Sequence, residues 1–408
     1  MSSKNSNIDT LKVLIEKCGS SSFDIVYGKK FFFNHTLHGL IALHKLHASD
    51  ERLQEFFDIY TKLLNPPVPL NPDDPPLTET NWTDYLGKEK RFVELADYFE
   101  RVKRELGDKK KLLQKYLPKL IDGISGEATH GIIHLGYALH SPDEKSLSDA
   151  LAALTWSYRY LGHLEADNTM TSGTVEIHPY DGCNELVQLL KFVSIDALDM
   201  CREVKEKAMH EPYTLMPDIN FVRRITVLHN TEKYQLVIQQ YAKRITTIST
   251  ITDERLSELA HALSVAVLLA YAGTDPPDNF FLLHGVTSSW AFRQCLDYFE
   301  TSKQKRSALY SYIMMILAVY IVEDLPEIQL KDGSFPLFNV QEKDIQPSPG
   351  ESISLPTWKQ ILPLAIAADE EHDIKLVFTC YDDEIHYGSP VPNIYRTTAA
   401  KKVGLMKW

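Results

Sequence analysis

The chain has 408 residues, and 44% of them are hydrophobic, so it is long enough to bury a large core. Its formal net charge of -12 disfavours a phosphate-binding surface, and nucleic acid is therefore not an expected partner. Neither a shift in composition nor a fixed-period repeat divides the sequence, so we predict a single domain over residues 1–408.

Helical periodicity dominates the chain. Apolar residues recur at intervals of three and four positions, as on one face of an amphipathic helix, in residues 53–64, 147–161 and 186–200. A capping-box pattern with Pro142 at the first helical position predicts where the second of these helices begins. The predicted fold class is all-α.

Proline and glycine mark the irregular segments. Residues 65–76 contain six prolines and predict an extended connector, because proline lacks an amide donor and restricts the residue before it. Strand signals are scarce, and the best one is residues 328–340, where Asp332 and Gly333 would turn a minor β-hairpin.

Cysteine usage and the distribution of apolar runs predict the compartment. The five cysteines are odd in number and never spaced as C-x-x-C, which argues against a disulfide framework or a zinc ribbon. Residues 1–10 are polar, and the longest apolar runs, 263–272 and 312–322, are too short to span a bilayer. We predict a cytoplasmic protein that does not bind membranes.

Two histidine pairs carry the strongest functional signal. His35 and His38 are three positions apart, and His130 and His134 are four apart, so each pair shares one helix face. Each histidine taken alone is more often a hydrogen-bonded core residue than a ligand. Six imidazoles in separate apolar segments would each need an acceptor, however, whereas one metal ion satisfies several.

The other two signals lie nearer the C-terminus. His284 stands in an apolar, aromatic stretch that suits either core packing or a flat organic substrate. His372 and Lys375 share a helix face, and Lys375 enters an apolar run in which burial would lower the pKa of its amine. Such a lysine could act as a base, form a Schiff base or react with carbon dioxide to give a carbamate, or it could snorkel to solvent.

Four motifs resemble those of the questin oxidase-like family. They are Asn34-His35-x-x-His38-x-Leu40, His130-x-x-Ile133-His134-x-Gly136-Tyr137, Leu283-His284-x-x-Thr287-Ser288 and His372-x-x-Lys375. The resemblance implies an all-helical oxidoreductase related to fungal proteins that oxidise and open anthraquinone rings. Ring opening in that family has been described both as Baeyer–Villiger-type oxidation and as non-haem iron dioxygenation with histidines and a carbamylated lysine.

The resemblance also implies the site residues. The metal ligands would be His38, His134, His284, His372 and Lys375. His35 and His130 would be the catalytic neighbours that orient or replace them. Gly131, and Thr379 with Cys380, stand where the family often has a proline and an arginine, which puts the substrate in doubt more than the metal.

The favoured hypothesis is an oxygenase in which iron(II) and dioxygen meet an aromatic phenol or quinol that supplies the electrons. Zinc or manganese would also suit imidazole ligands. The sequence has no flavin or nicotinamide motif, since no G-x-G-x-x-G follows a strand.

Two alternatives stay open. The first is a helical metal-dependent hydrolase that uses His372 and Asp373 with Glu127, Glu165 or Asp167. The second is a non-catalytic helical scaffold whose histidines belong to the core.

Overall fold

The protein is all-α, as predicted. The computed structural model describes residues 2–28, 32–88, 90–165, 177–210, 220–329 and 355–408. These residues contain eighteen α-helices. The helices are α1 (Ser2–Cys18), α2 (Thr36–Lys45), α3 (Asp50–Tyr60), α4 (Phe92–Leu106), α5 (Lys109–Leu120), α6 (His130–Ala138), α7 (Lys145–Trp156), α8 (Pro179–Asp196), α9 (Leu198–Ala208), α10 (Asn220–His229), α11 (Glu232–Ala242), α12 (Thr247–Thr250), α13 (Leu256–Ala272), α14 (Phe280–Cys295), α15 (Ser302–Val322), α16 (Trp358–Ala367), α17 (Glu371–Tyr387) and α18 (Ile394–Lys402).

The described residues also contain two antiparallel sheets of two short strands each. The first pairs β1 (Val26–Tyr27) with β2 (Phe32–Phe33), and the second pairs β3 (Thr274–Asp275) with β4 (Glu327–Ile328). Of the hairpin predicted over residues 328–340, only residues 328 and 329 are among the described residues. The described part of that segment pairs with β3.

Local sequence signals locate the helices well but not always their first residue. The stripes predicted near residues 53–64, 147–161 and 186–200 correspond to α3, α7 and the α8–α9 pair, and residues 65–76 form no helix or strand. The predicted start at Pro142 is wrong, because α7 begins at Lys145. The Ser141 hydroxyl accepts a bond from the Asp143 amide at 3.0 Å, which closes a turn ahead of the helix.

Two long apolar helices lie at the centre of the fold. The prediction that the longest apolar runs are too short to span a bilayer is wrong for the helices that contain them, because residues 253–272 and 302–322 are long and apolar enough to cross a membrane by length and composition. Their apolar windows are 78% and 94% buried inside the fold, however, as is usual for core helices. The burial of these windows accounts for their hydrophobicity without a bilayer.

Four helices meet around the site. Helix α2 contacts α6 and α17, and α14 contacts the same two helices. Helices α6 and α14 approach closely at Gly136, where an added Cβ would lie 2.4 Å from the Cβ of Ala291. Together, these helix contacts bring four segments that are far apart in the sequence to one place.

Candidate metal centre

Four buried histidines, one from each of these segments, form a closed ring of imidazoles that we call the histidine ring. They are His35, His130, His284 and His372. The ring centroid of His130 lies 4.7 Å from that of His35 and 4.8 Å from that of His284. The centroid of His372 lies 4.9 Å from both His284 and His35, which closes the ring.

Two members of the ring are anchored by backbone carbonyls. The Nδ1 atom of His284 donates to the carbonyl of Phe280 at 2.8 Å, and Nδ1 of His130 bonds to the carbonyl of Glu127. A carbonyl oxygen can only accept a hydrogen bond, so each Nδ1 carries the proton. The lone pair of each imidazole is therefore on Nε2, the nitrogen that can bind a metal.

The other two members are anchored by carboxylates at the start of α17. The Nδ1 atom of His35 lies 2.7 Å from Oε1 of Glu371, and Nδ1 of His372 bonds to Oε1 of Glu370. Glu371 Oε1 also lies 3.4 Å from Nδ1 of His372. Carboxylates orient metal-ligating histidines in many proteins by this contact.

The Nε2 atoms of the ring make no hydrogen bond to residues outside the ring. Those of His35 and His130 are buried without a hydrogen-bond partner among the described residues. The Nε2 atoms of His284 and His372 lie 3.3 Å apart. Ligand atoms of His35, His130 and His372 all lie within 4.8 Å of one another, so these residues could hold a metal ion.

Burial keeps the ring neutral. It lowers the pKa of His35, His130 and His372 well below the ordinary value, and the nearby positive groups act in the same direction. It lowers the pKa of His284 to about 3. Neutral imidazole is the form that binds metals, so the electrostatics agree with the geometry.

A strained turn presents His130. Glu127, Ala128 and Thr129 have φ values of 47°, 49° and 69°, which is a left-handed conformation that side chains other than glycine seldom adopt. The Thr129 hydroxyl donates to the carbonyl of His284 at 3.5 Å. Strained backbone of this kind concentrates at functional sites, and here it leads directly into the ring.

His38 and His134 lie outside the ring and bond to each other. The Nε2 atom of His38 is 2.9 Å from Nδ1 of His134. The His38 ring packs between those of His35 and Tyr137, at 5.1 and 5.0 Å. Whether this pair binds a metal, as predicted, stays a prediction.

Lys375 is fully buried beside the ring. Its Nζ atom lies 3.4 Å from Nδ1 of His35, and none of its surface is exposed. The side chain therefore does not snorkel to solvent. Burial lowers the pKa of Lys375 and raises that of Glu371, so both groups are displaced towards their neutral forms.

A cavity of about 1340 Å³ opens onto all four histidines of the ring. Phe33 lines it and stacks on His130, with centroids 4.8 Å apart and planes inclined by 11°. Phe280 and Phe281, from the aromatic stretch around His284, line the same cavity. Flat aromatic walls of this kind suit a flat, apolar ligand.

The sequence reasoning missed the roles of Phe33 and Glu371. Glu371 meets His35 only in the tertiary structure, 336 positions away, so no local pattern could have revealed the contact. Glu370 left a weak local signal, because acidic residues are common at the start of a helix.

The residues proposed as metal ligands in the hydrolase alternative do not meet at one place among the described residues. Asp373 lies 3.2 Å from Lys402, and Glu165 lies 2.9 Å from Lys303 on the protein surface. Asp167 lies outside the described residues. Glu127 lines the cavity, but the carboxylates beside His372 are Glu370 and Glu371.

Comparison with known proteins locates the chain in one family. The model of the family described as questin oxidase-like matches residues 32–380, a span that contains the whole histidine ring and Lys375. A search of curated proteins finds no match. An oxidase is by definition an oxidoreductase, and the described site is compatible with that class. Because the matched span covers most of its 408 residues, the chain belongs to the questin oxidase-like family.

Proposed function

We propose that this protein is a metal-dependent oxygenase that oxidises an aromatic small molecule, of quinone or polyketide-like type, with dioxygen. One observation carries the proposal: four neutral imidazoles, each with Nδ1 anchored, face a cavity with aromatic walls. The family supports an oxidoreductase, and the ring supports a metal.

The ring residues His35, His130, His284 and His372 would hold the ion through their Nε2 atoms. This ligand set takes His35 and His130 in place of the predicted His38 and His134. Imidazole ligands suit several divalent metals. We propose iron(II) because, when bound, it can transfer electrons to dioxygen, which zinc cannot.

The protein's own groups position the reactants. Phe33 and Phe280 offer apolar faces beside the ring, against which a planar substrate can stack while water is excluded. Glu371 holds the Nδ1 proton of His35 and so keeps Nε2 directed inward. A phenol or quinol substrate would supply the electrons, so neither flavin nor nicotinamide is required.

Lys375 is proposed as the source of an additional oxygen ligand. Its amine is displaced by burial towards the neutral form, which is the form that attacks carbon dioxide. A bond forms between Nζ and the carbon, one proton leaves, and the resulting carbamate carries a negative charge. Carbon-13 NMR of protein equilibrated with labelled bicarbonate should show a carbamate signal that the Lys375→Met variant lacks.

Metal analysis with oxygen consumption tests the proposal. Wild-type protein purified without chelators should contain stoichiometric metal and consume oxygen with a hydroxylated anthraquinone. The His284→Ala variant should lose both properties, because it lacks one ligand of the ring. The matched control is His163→Gln, since His163 bonds to Asp122 away from the ring and should tolerate the change. Metal-free wild-type protein, or a His284→Ala variant with full metal content, would contradict the proposal.

Cytoplasmic localisation remains part of this proposal. All five cysteines are unpaired and buried, which supports a reducing compartment.

A further inference from the structure

A line of aromatic rings leads from the histidine ring away from the cavity. The His35 ring stacks on His38 at 5.1 Å, and His38 stacks on Tyr137 at 5.0 Å with planes inclined by 18°. Tyr137 is 4.8 Å from Trp290, which in turn stacks on His140 at 5.5 Å. We call Tyr137 and Trp290 the redox pair, because phenol and indole are among the side chains most easily oxidised by one electron.

Stability does not explain the hydroxyl of Tyr137. The residue has no exposed surface, and its hydroxyl has no hydrogen-bond partner among the described residues. A phenylalanine would fill the same space without burying an unpaired polar group. Loss of the hydroxyl would, however, make the ring much harder to oxidise. Tyrosine at this position therefore fits a redox role better than a packing role.

The outer end of the line has an acceptor for a proton. The Nε1 atom of Trp290 donates to Oδ2 of Asp382 at 2.8 Å. The Asp382 side chain is 24% exposed and lies 3.3 Å from Nδ1 of His386 on the surface. An indole that loses an electron becomes strongly acidic, so its proton would pass to this carboxylate and then to solvent.

We propose that the redox pair protects the histidine ring by supplying an electron when an oxygen-derived oxidant forms there without substrate. The electron leaves the Tyr137 ring and reduces the oxidant, while the phenol keeps its proton because no acceptor lies beside it among the described residues. Trp290 then returns an electron to Tyr137, and the indole proton moves from Nε1 to Asp382. A soluble thiolate reduces the indolyl radical by one electron through the partly exposed His140, and Asp382 returns the proton. This inference rests on the proposed oxygenase function, because that function supplies the oxidant.

Rapid freezing and peptide mapping test the inference. Iron(II)-loaded, substrate-free protein is mixed with hydrogen peroxide, frozen for electron paramagnetic resonance, and digested for mass spectrometry. Wild-type protein should show an organic radical and oxygen addition at Trp290. Tyr137→Phe should lose the modification at Trp290, and Trp290→Phe should confine the radical to Tyr137. Both variants should lose metal-binding capacity faster than wild type in repeated exposures.

The matched control is Tyr312→Phe. Tyr312 is another fully buried tyrosine, but its hydroxyl faces the hydroxyls of Ser264 and Ser289, and its ring stacks on Phe292 at 4.9 Å, outside the line. This variant should behave as wild type. The inference is overturned if the wild-type radical persists in both redox-pair variants, or if the oxidation falls on Tyr60 at the cavity wall.

A second measurement separates this inference from the oxygenase proposal. Metal content and turnover of an aromatic substrate are measured on the same samples, and their absence counts against the oxygenase proposal alone. Metal-free protein is then oxidised with a photo-excited ruthenium tris(bipyridine) complex and an electron acceptor. Oxygen addition at buried Tyr137 should occur and should disappear in Trp290→Phe. Equal modification of Tyr137 in both proteins would overturn the redox connection.

Discussion

The histidine ring and the His38–His134 pair draw on the same two sequence motifs, His35-x-x-His38 and His130-x-x-x-His134, yet the environments of their imidazoles differ. His35 and His130 have Nδ1 bonded to oxygen acceptors and Nε2 without a partner. His38 and His134 instead bond to each other through ring nitrogens and do not line the cavity. Because Nδ1 of His38 also lacks a partner among the described residues, what separates the two sets is the oxygen anchor on Nδ1 and the access to the cavity.

The largest expected effect is a loss of metal affinity, and it tests directly whether the histidine ring or the His38–His134 pair binds the metal. His130→Gln removes an uncommitted Nε2, and we expect metal affinity to fall more than about 100-fold, beyond the 10–100-fold typical of outer partners. His134→Gln should lower affinity by less than about tenfold, which is a smaller loss than that range. Competition titration with a chromophoric chelator measures both, and the reverse order would assign the metal to the His38–His134 pair.

A variant of Glu371 tests whether the carboxylate that contacts Nδ1 of His35 contributes to metal binding. Glu371→Gln leaves a weaker acceptor for Nδ1 of His35, and we expect metal affinity to fall about 10–100-fold. Asp373→Asn is the control, because Asp373 pairs with Lys402 and its nearest histidine neighbour in sequence is anchored by Glu370. Equal affinities for the two variants would show that the carboxylate does not orient the ring.

The contact between α6 and α14 tests the ring as a unit. Gly136→Ala places a methyl group 2.4 Å from the Cβ of Ala291, so the helices must separate at a cost of about 1–3 kcal/mol in unfolding free energy. The separation should weaken metal binding, since His130 and His284 lie on opposite sides of this contact. Gly285→Ala, whose new Cβ would be 3.2 Å from a Val267 methyl group, should cost less. Urea unfolding of metal-free protein measures the difference.

The contribution of His134 to the pH dependence of stability can be measured with one variant. Burial lowers the pKa of His134 to about 3, whereas the unfolded chain retains a value near 6.5. Below pH 6.5 the unfolded state therefore binds a proton that the folded state does not, and stability falls as the pH is lowered. Each such group contributes about 1.4 kcal/mol per pH unit. In metal-free protein, His134→Gln should reduce the slope between pH 6 and 4 by about this amount, and an unchanged slope would contradict the prediction.

Local sequence determined the helices and the set of chemically relevant residues. The apolar stripes of α3, α7 and α8 can be read from the sequence alone. The same is true of the histidine pairs and of His372 with Lys375, because residues three or four positions apart lie on one helix face. Helix α7 begins three residues later than the capping pattern predicts, because a hydrogen bond from the Asp143 amide to the Ser141 hydroxyl competes with that pattern.

Tertiary structure decided which histidines face the cavity. Two residues three or four positions apart differ by only about 40–60° around a helix, so the angle at which α2 and α6 pack determines which of them reaches the cavity. The partners that complete the distinction, Glu371 for His35 and the left-handed turn before His130, depend on contacts between distant segments. Periodicity is a property of one helix, whereas a ring built from four segments exists only once those helices have packed.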